Sequence, residues 1–63
     1  SDLWEGTAWQ AAILETRAGL ARAEGDPGRG AALLEEAAEY FEQAGQPLDA
    51  ARCRAQRELG YVN

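Results

Sequence analysis

The chain has no histidine and no methionine, all six of its basic residues are arginine, and it carries one cysteine, Cys53. Each absence excludes something. A single cysteine rules out an internal disulfide, and one thiol without histidine leaves no zinc-ligand set, so no metal is expected. Without histidine there is no Ser/His/Asp arrangement and the commonest general base is missing. Without lysine, the glycine-rich run Gly25-Asp26-Pro27-Gly28-Arg29-Gly30 lacks the Lys-Ser/Thr pair of a phosphate loop, and no strand precedes it. The glutamates read as solubility charges on a solvated face. No catalytic set and no cofactor are expected, and the chain is read as not an enzyme.

Long apolar runs and positive charge are also scarce. No stretch approaches the roughly 20 apolar residues that span a bilayer. The first residues are acidic and contain no apolar leader core, so a cytoplasmic location is expected. Six basic against eleven acidic residues leave a net charge of −5. That balance argues against non-specific nucleic-acid binding and against an anionic membrane surface. A chain of 63 residues buries only about 60% of its unfolded surface and is marginal alone. With disulfides and metals excluded, the remaining support is partner chains or the rest of a longer protein. The opening Ser1 and the uncovered apolar surface on the outer helices favour a segment of a larger parent.

What is present is helical. Asp26 is placed to cap a helix, Pro27 fits its first position, and Gly45 supplies a left-handed stop. The central helix is therefore predicted over 27–44. Leu33, Leu34, Ala37, Tyr40, Phe41 and Ala44 recur at helical spacing inside it, with Glu35, Glu36, Glu39 and Glu42 on the other side. The first helix is predicted over 7–24. Thr7 with Gln10 makes a capping box, and Asp2 with Glu5 makes a competing earlier one. Gly6 weakens the earlier start by about 1 kcal/mol, which leaves Leu3-Trp4 as an optional extra turn.

The first helix carries two apolar stripes. Trp9, Ile13, Thr16, Leu20 and Ala23 form one; Leu14, Ala18 and Ala21 form the other. Two stripes imply two neighbours on different sides. Between them runs a strip of Ala8, Ala12, Glu15, Gly19 and Arg22, small and polar, suited to an exposed or ligand-facing wall. Trp9 is read as core. Trp4 has two open readings, a cover for the central helix or an anchor for another chain. The third helix is predicted over 48–59, with Leu48, Ala51, Ala55 and Leu59 facing inward and Gly60 as its stop. Its Arg52, Arg54 and Arg57 would lie beside the acidic central helix. Cys53 falls off the expected inward stripe and reads as a small residue facing the next helix or solvent; its oxidation would cross-link two copies only incidentally.

Gly25-Asp26-Pro27 and Gly45-Gln46-Pro47 stand about twenty residues apart. Helix, Gly-x-Pro turn, helix, Gly-x-Pro turn, helix is the grammar of an α-solenoid, and short turns make neighbours antiparallel. The run Ala21-Arg22-Ala23-Glu24-Gly25-Asp26 followed by Ala31-Ala32-Leu33-Leu34-Glu35-Glu36-Ala37 resembles a tetratricopeptide repeat. With Phe41-Glu42-Gln43-Ala44-Gly45 and Ala50-Ala51-Arg52-Cys53-Arg54-Ala55, it resembles the repeats of bacterial LuxR-type and maltose-regulator-like ATPase regulators over roughly residues 12 to 60. Ala21 stands where that family has a large aromatic residue, and Gly30 where it has alanine. The resemblance implies an all-α fragment of three antiparallel helices, with Leu14, Ala18 and Ala21 touching Gly30, Leu34 and Ala37. It also implies that Glu15, Gly19 and Arg22 face a concave groove.

The resulting expectation is a protein–protein interaction module of a bacterial regulator, packed on itself or on the rest of its parent and forming a homo-oligomer. Trp4, Ala12, Glu15, Gly19 and Arg22 are its candidate contact residues. Two rivals remain. One is a small helix-turn-helix DNA-binding domain with Arg52, Arg54 and Arg57 on its recognition helix. The other is a free-standing dimeric helical adaptor.

Overall fold

A computed structural model describes the backbone of residues 2–62 and the side chains of residues 6–59. It is all-α: α1 spans Asp2–Ala23, α2 Pro27–Gln43 and α3 Pro47–Val62, with no strand among the described residues. The two turns that reverse the chain are built alike. At the first, Gly25 takes φ of +86°, its N–H donates to the Arg22 carbonyl, and the Asp26 N–H donates to the Ala21 carbonyl. At the second, Gly45 takes φ of +77°, its N–H donates to the Glu42 carbonyl, and the Gln46 N–H donates to the Phe41 carbonyl. This pair of bonds satisfies the last free carbonyls of a helix, and its left-handed residue favours glycine. Asp26 then opens α2, its Oδ1 accepting from the Arg29 N–H at 3.2 Å, with Pro27 in the first turn.

The helix ends differ from expectation in two places. α1 begins at Asp2 rather than Thr7. Carrying a helix back through Gly6 costs about 1 kcal/mol, but each added residue closes another backbone bond once a helix exists. α3 does not stop at Gly60 and runs to Val62. A glycine ends a helix only where it turns left-handed, and among the described residues the glycines with positive φ are Gly25 and Gly45.

α2 lies in the middle, packed on α1 and on α3. The Cα atoms occupy a slab of 38 × 18 × 11 Å. The core comprises Ala11, Ala18, Leu34, Ala37, Ala38, Phe41, Ala50 and Cys53, with Leu14, Leu33 and Tyr40 packed against its edge. Most of these residues are small, which lets the helix backbones approach closely. Gly30 marks one such approach: an added Cβ there would lie 2.7 Å from Arg22 Cγ and 3.2 Å from the Ala18 carbonyl oxygen. Ala18, Ala21, Gly30, Leu34 and Ala37 are buried and Leu14 half-buried, at the positions expected for the α1–α2 contact.

Three expectations about packing are corrected. Trp9 is not core: it is 71% exposed. α3 faces the other way round from its expected inward stripe. Leu48, Ala51, Ala55 and Leu59 are exposed, while Ala50 and Cys53 are buried. Cys53 is therefore a core residue. The reason is electrostatic as much as apolar. Arg54 and Arg57 share a helix face with Ala50 and Cys53, and both reach carboxylates of α2. Turning the leucines inward would have pointed these arginines away from their partners.

Candidate functional site

Glu15 is the hinge of the contact between α1 and α3. Arg52 grips its carboxylate with two bonds, Nη2 to Oε1 at 2.8 Å and Nε to Oε2 at 3.0 Å. Gln56 Nε2 donates to the same Oε2 at 2.9 Å. Arg52 also donates to Asp49, one turn back on its own helix. Its guanidinium carbon lies 5.6 Å from the centroid of the Phe41 ring, so the planar cation also covers the edge of the core. The hydrogen bonds from Arg52, more than any other influence, hold the Glu15 carboxyl below its ordinary pKa, with Gln56 assisting and partial burial opposing. Fork-to-fork pairing of this kind fixes geometry as well as adding energy.

A second set joins α2 to α3. Arg54 donates to Glu42 at 2.7 Å and 3.3 Å and to Glu35 at 3.4 Å, and Arg57 donates to Glu35. The Arg54 hydrogen bonds hold the Glu42 carboxyl low as well. All three α3 arginines are thus engaged by carboxylates: Arg54 and Arg57 by the acidic central helix, as expected, and Arg52 by Glu15 of α1 and Asp49 of its own helix instead. They do not form an unpaired basic row.

The candidate contact residues on α1 are placed as follows. Ala12 and Gly19 are exposed, and an added Cβ on Gly19 would meet nothing within 4 Å. Glu15 is engaged with α3. The Arg22 stem lies across Gly30 of α2. Trp4 lies outside the residues whose side chains are described. The strip therefore splits into two open small residues, Glu15 engaged with α3, and an exposed Arg22 whose stem lies against α2.

On the opposite side of the α1–α2 junction are two shallow grooves that share Arg17. One, of about 290 Å³, includes Ile13, Leu14 and Tyr40; the other, of about 270 Å³, includes Leu20, Ala21 and Arg29. Both fall just below the usual range of small-molecule pockets. Among the described residues, no group of three or more acidic or thiol side chains is placed to hold a metal ion. Among the described residues, no helix is long and apolar enough to cross a membrane.

The larger feature is what stays uncovered. Trp9 and Leu20 of α1 are 71% and 59% exposed, and Ile13 lies at the boundary of exposure. Leu48 and Leu59 of α3 are 86% and 60% exposed. These residues are not scattered. They form one stripe on each outer helix, and the α1 stripe borders the two grooves at the α1–α2 junction through Ile13 and Leu20. Periodicity revealed both stripes; it did not reveal which of each helix's two faces would be covered. The Glu15–Arg52–Gln56 bridge was missed, because residues 37 and 41 positions apart carry no local signal. No family model, no curated protein and no solved structure matches the chain.

Proposed function

We propose that this chain is a non-catalytic protein–protein interaction module, a tetratricopeptide-like helical repeat of a bacterial regulatory protein acting in the cytoplasm. Its partner is protein, either a second copy or the rest of a longer parent, and neither nucleic acid nor membrane. The observation that carries this reading is the pair of uncovered apolar stripes on α1 and α3. Large apolar side chains gathered in a row on a small chain favour association. The repeated Gly-x-Pro turns, with matching backbone bonds at both, support a unit whose helices stack in one direction. The arginines that a DNA-contacting reading needs are occupied by Glu15, Glu35, Glu42 and Asp49.

Sedimentation velocity of the 63-residue chain over a wide concentration range tests the reading. A sedimentation coefficient that rises with concentration supports it. A monomer at every concentration, with no binding to other helical segments of the parent, would overturn it.

A further inference from the structure

Resting on the interaction-module reading, we infer that the occupant of these stripes is a second copy of this chain, docked head to tail. The α3 stripe of one copy lies on the α1 stripe of the next, with the two helices parallel. Three observations converge on this arrangement.

The first is length. Trp9 and Leu20 stand eleven residues apart, and so do Leu48 and Leu59. Thr16 and Ala55 fall at the same interval within each row. Sliding α3 onto α1 at an offset of thirty-nine residues sets Leu48 against Trp9, Arg52 against Ile13, Ala55 against Thr16 and Leu59 against Leu20; the Arg52 guanidinium keeps its Glu15 and Asp49 partners within its own chain. Both rows are then about 16 Å long at 1.5 Å per residue.

The second is polarity. Thr16 is the polar interruption in the α1 row, and its hydroxyl already donates to the Ala12 carbonyl at 3.1 Å. Covering it leaves no donor orphaned.

The third is charge. Arg17 and Glu58 are exposed, and neither is in an ion pair among the described residues. At about 100° per residue, Arg17 sits roughly 70° to one hand of the α1 row and Glu58 roughly 65° to the other hand of the α3 row. When two parallel helices face each other, these opposite hands meet on one rim. In the proposed register the two residues are two positions out of step, about 3 Å along the axis. An antiparallel docking sends them to opposite rims. An antiparallel two-fold α1–α1 pairing puts Arg17 on the same rim as its own copy.

A contact between two different faces does not close on itself, so copies add in an open row. The test is a mixing experiment by sedimentation velocity. The wild-type chain is expected to grow with concentration beyond a dimer. Trp9→Glu spoils the α1 face alone, and Leu48→Glu spoils the α3 face alone. Each variant by itself is expected to stay monomeric, its association weakened about tenfold or more. Mixed in equal amounts, they keep one good face each and are expected to form a 1:1 dimer that grows no further. Both positions are solvent-exposed, and circular dichroism checks the fold; if Trp9→Glu loses helix, Leu20→Glu replaces it. Arg17→Glu is expected to weaken growth, and Arg17→Glu with Glu58→Arg to restore it.

If either single-face variant self-associates as well as wild type, the contact is two-fold and head-to-tail docking is overturned while the interaction module stands. If the mixture stays monomeric, or the charge swap fails to restore growth, the parallel docking is likewise overturned. A wild-type monomer at every concentration overturns the docking and the self-association reading together.

Discussion

Two glycines in helix interiors offer one substitution with opposite outcomes. Gly19 on α1 faces open space, and an added Cβ there meets nothing within 4 Å. Alanine should then stabilise the chain by about 0.8–1.0 kcal/mol, the difference in helix propensity. In a domain of this size that raises the melting temperature by about 4–8 °C. Gly30 on α2 gains the same propensity, but its Cβ would lie 2.7 Å from Arg22 Cγ and 3.2 Å from the Ala18 carbonyl oxygen. The Arg22 stem can swing aside. The Ala18 carbonyl is backbone and moves only if α1 draws away from α2. Overpacking of this kind costs about 1–3 kcal/mol, so Gly30→Ala is expected to be neutral to about 2 kcal/mol destabilising. Thermal and urea unfolding followed by circular dichroism reads both variants. Chain concentration must be held fixed, because association shifts the midpoint. Equal stabilisation by the two alanines would refute the close α1–α2 approach.

Acid should loosen the α1–α3 bridge. Glu15 has a carboxyl pKa depressed below its ordinary 4.5 by Arg52, so its contribution is fully present above pH 4.5 and is lost as pH falls through the lower folded value. Glu15→Gln is expected to lower stability at neutral pH and to flatten the acid limb of a pH–stability curve; an unchanged limb would refute the bridge. Burial pushes the Cys53 thiol up, so a disulfide-exchange reagent should label the folded chain slowly and the urea-unfolded chain fast. Fast labelling of the folded chain would put α3 back in its expected orientation. Leu34→Ala should cost about 2–5 kcal/mol, enough to unfold so small a domain, whereas Leu48→Ala should leave helix content within error.

The three helices were legible because their punctuation is local. Gly25, Asp26, Pro27 and Gly45, Pro47 each act within one turn of themselves, and backbone geometry follows from them directly. Which side of α3 turns inward was not legible from hydrophobicity, since its larger apolar residues form the outward row. The charges held the better signal. Arg54 and Arg57 beside an acidic α2 require Ala50 and Cys53 to face inward with them, because positions three, four and seven apart share a helix face. A leucine-inward α3 was incompatible with those ion pairs. On α1 the apolar stripe holding Trp9 outweighs the small residues Ala11, Ala18 and Ala21 by side-chain volume, yet α2 packs where its own small residues permit close approach. Bulk favoured one face and fit selected the other. The candidate strip from Ala12 to Arg22 rests on helical spacing alone, and the structure divides it. The engagement of Glu15 by Arg52 and Gln56 depends on how α1 and α3 sit across α2, which no short-range pattern encodes.

The account turns on Trp9 standing in solvent until another chain covers it. A Trp4→Phe variant leaves Trp9 as the single tryptophan, and its fluorescence can be followed across a dilution series. At low concentration the emission should be that of a water-exposed indole, shifting to shorter wavelength as the chain is concentrated and the α1 row is covered. Short-wavelength emission that persists at the highest dilution would mean that Trp9 is wrapped within its own chain, and water-exposed emission at every concentration would mean that nothing docks there.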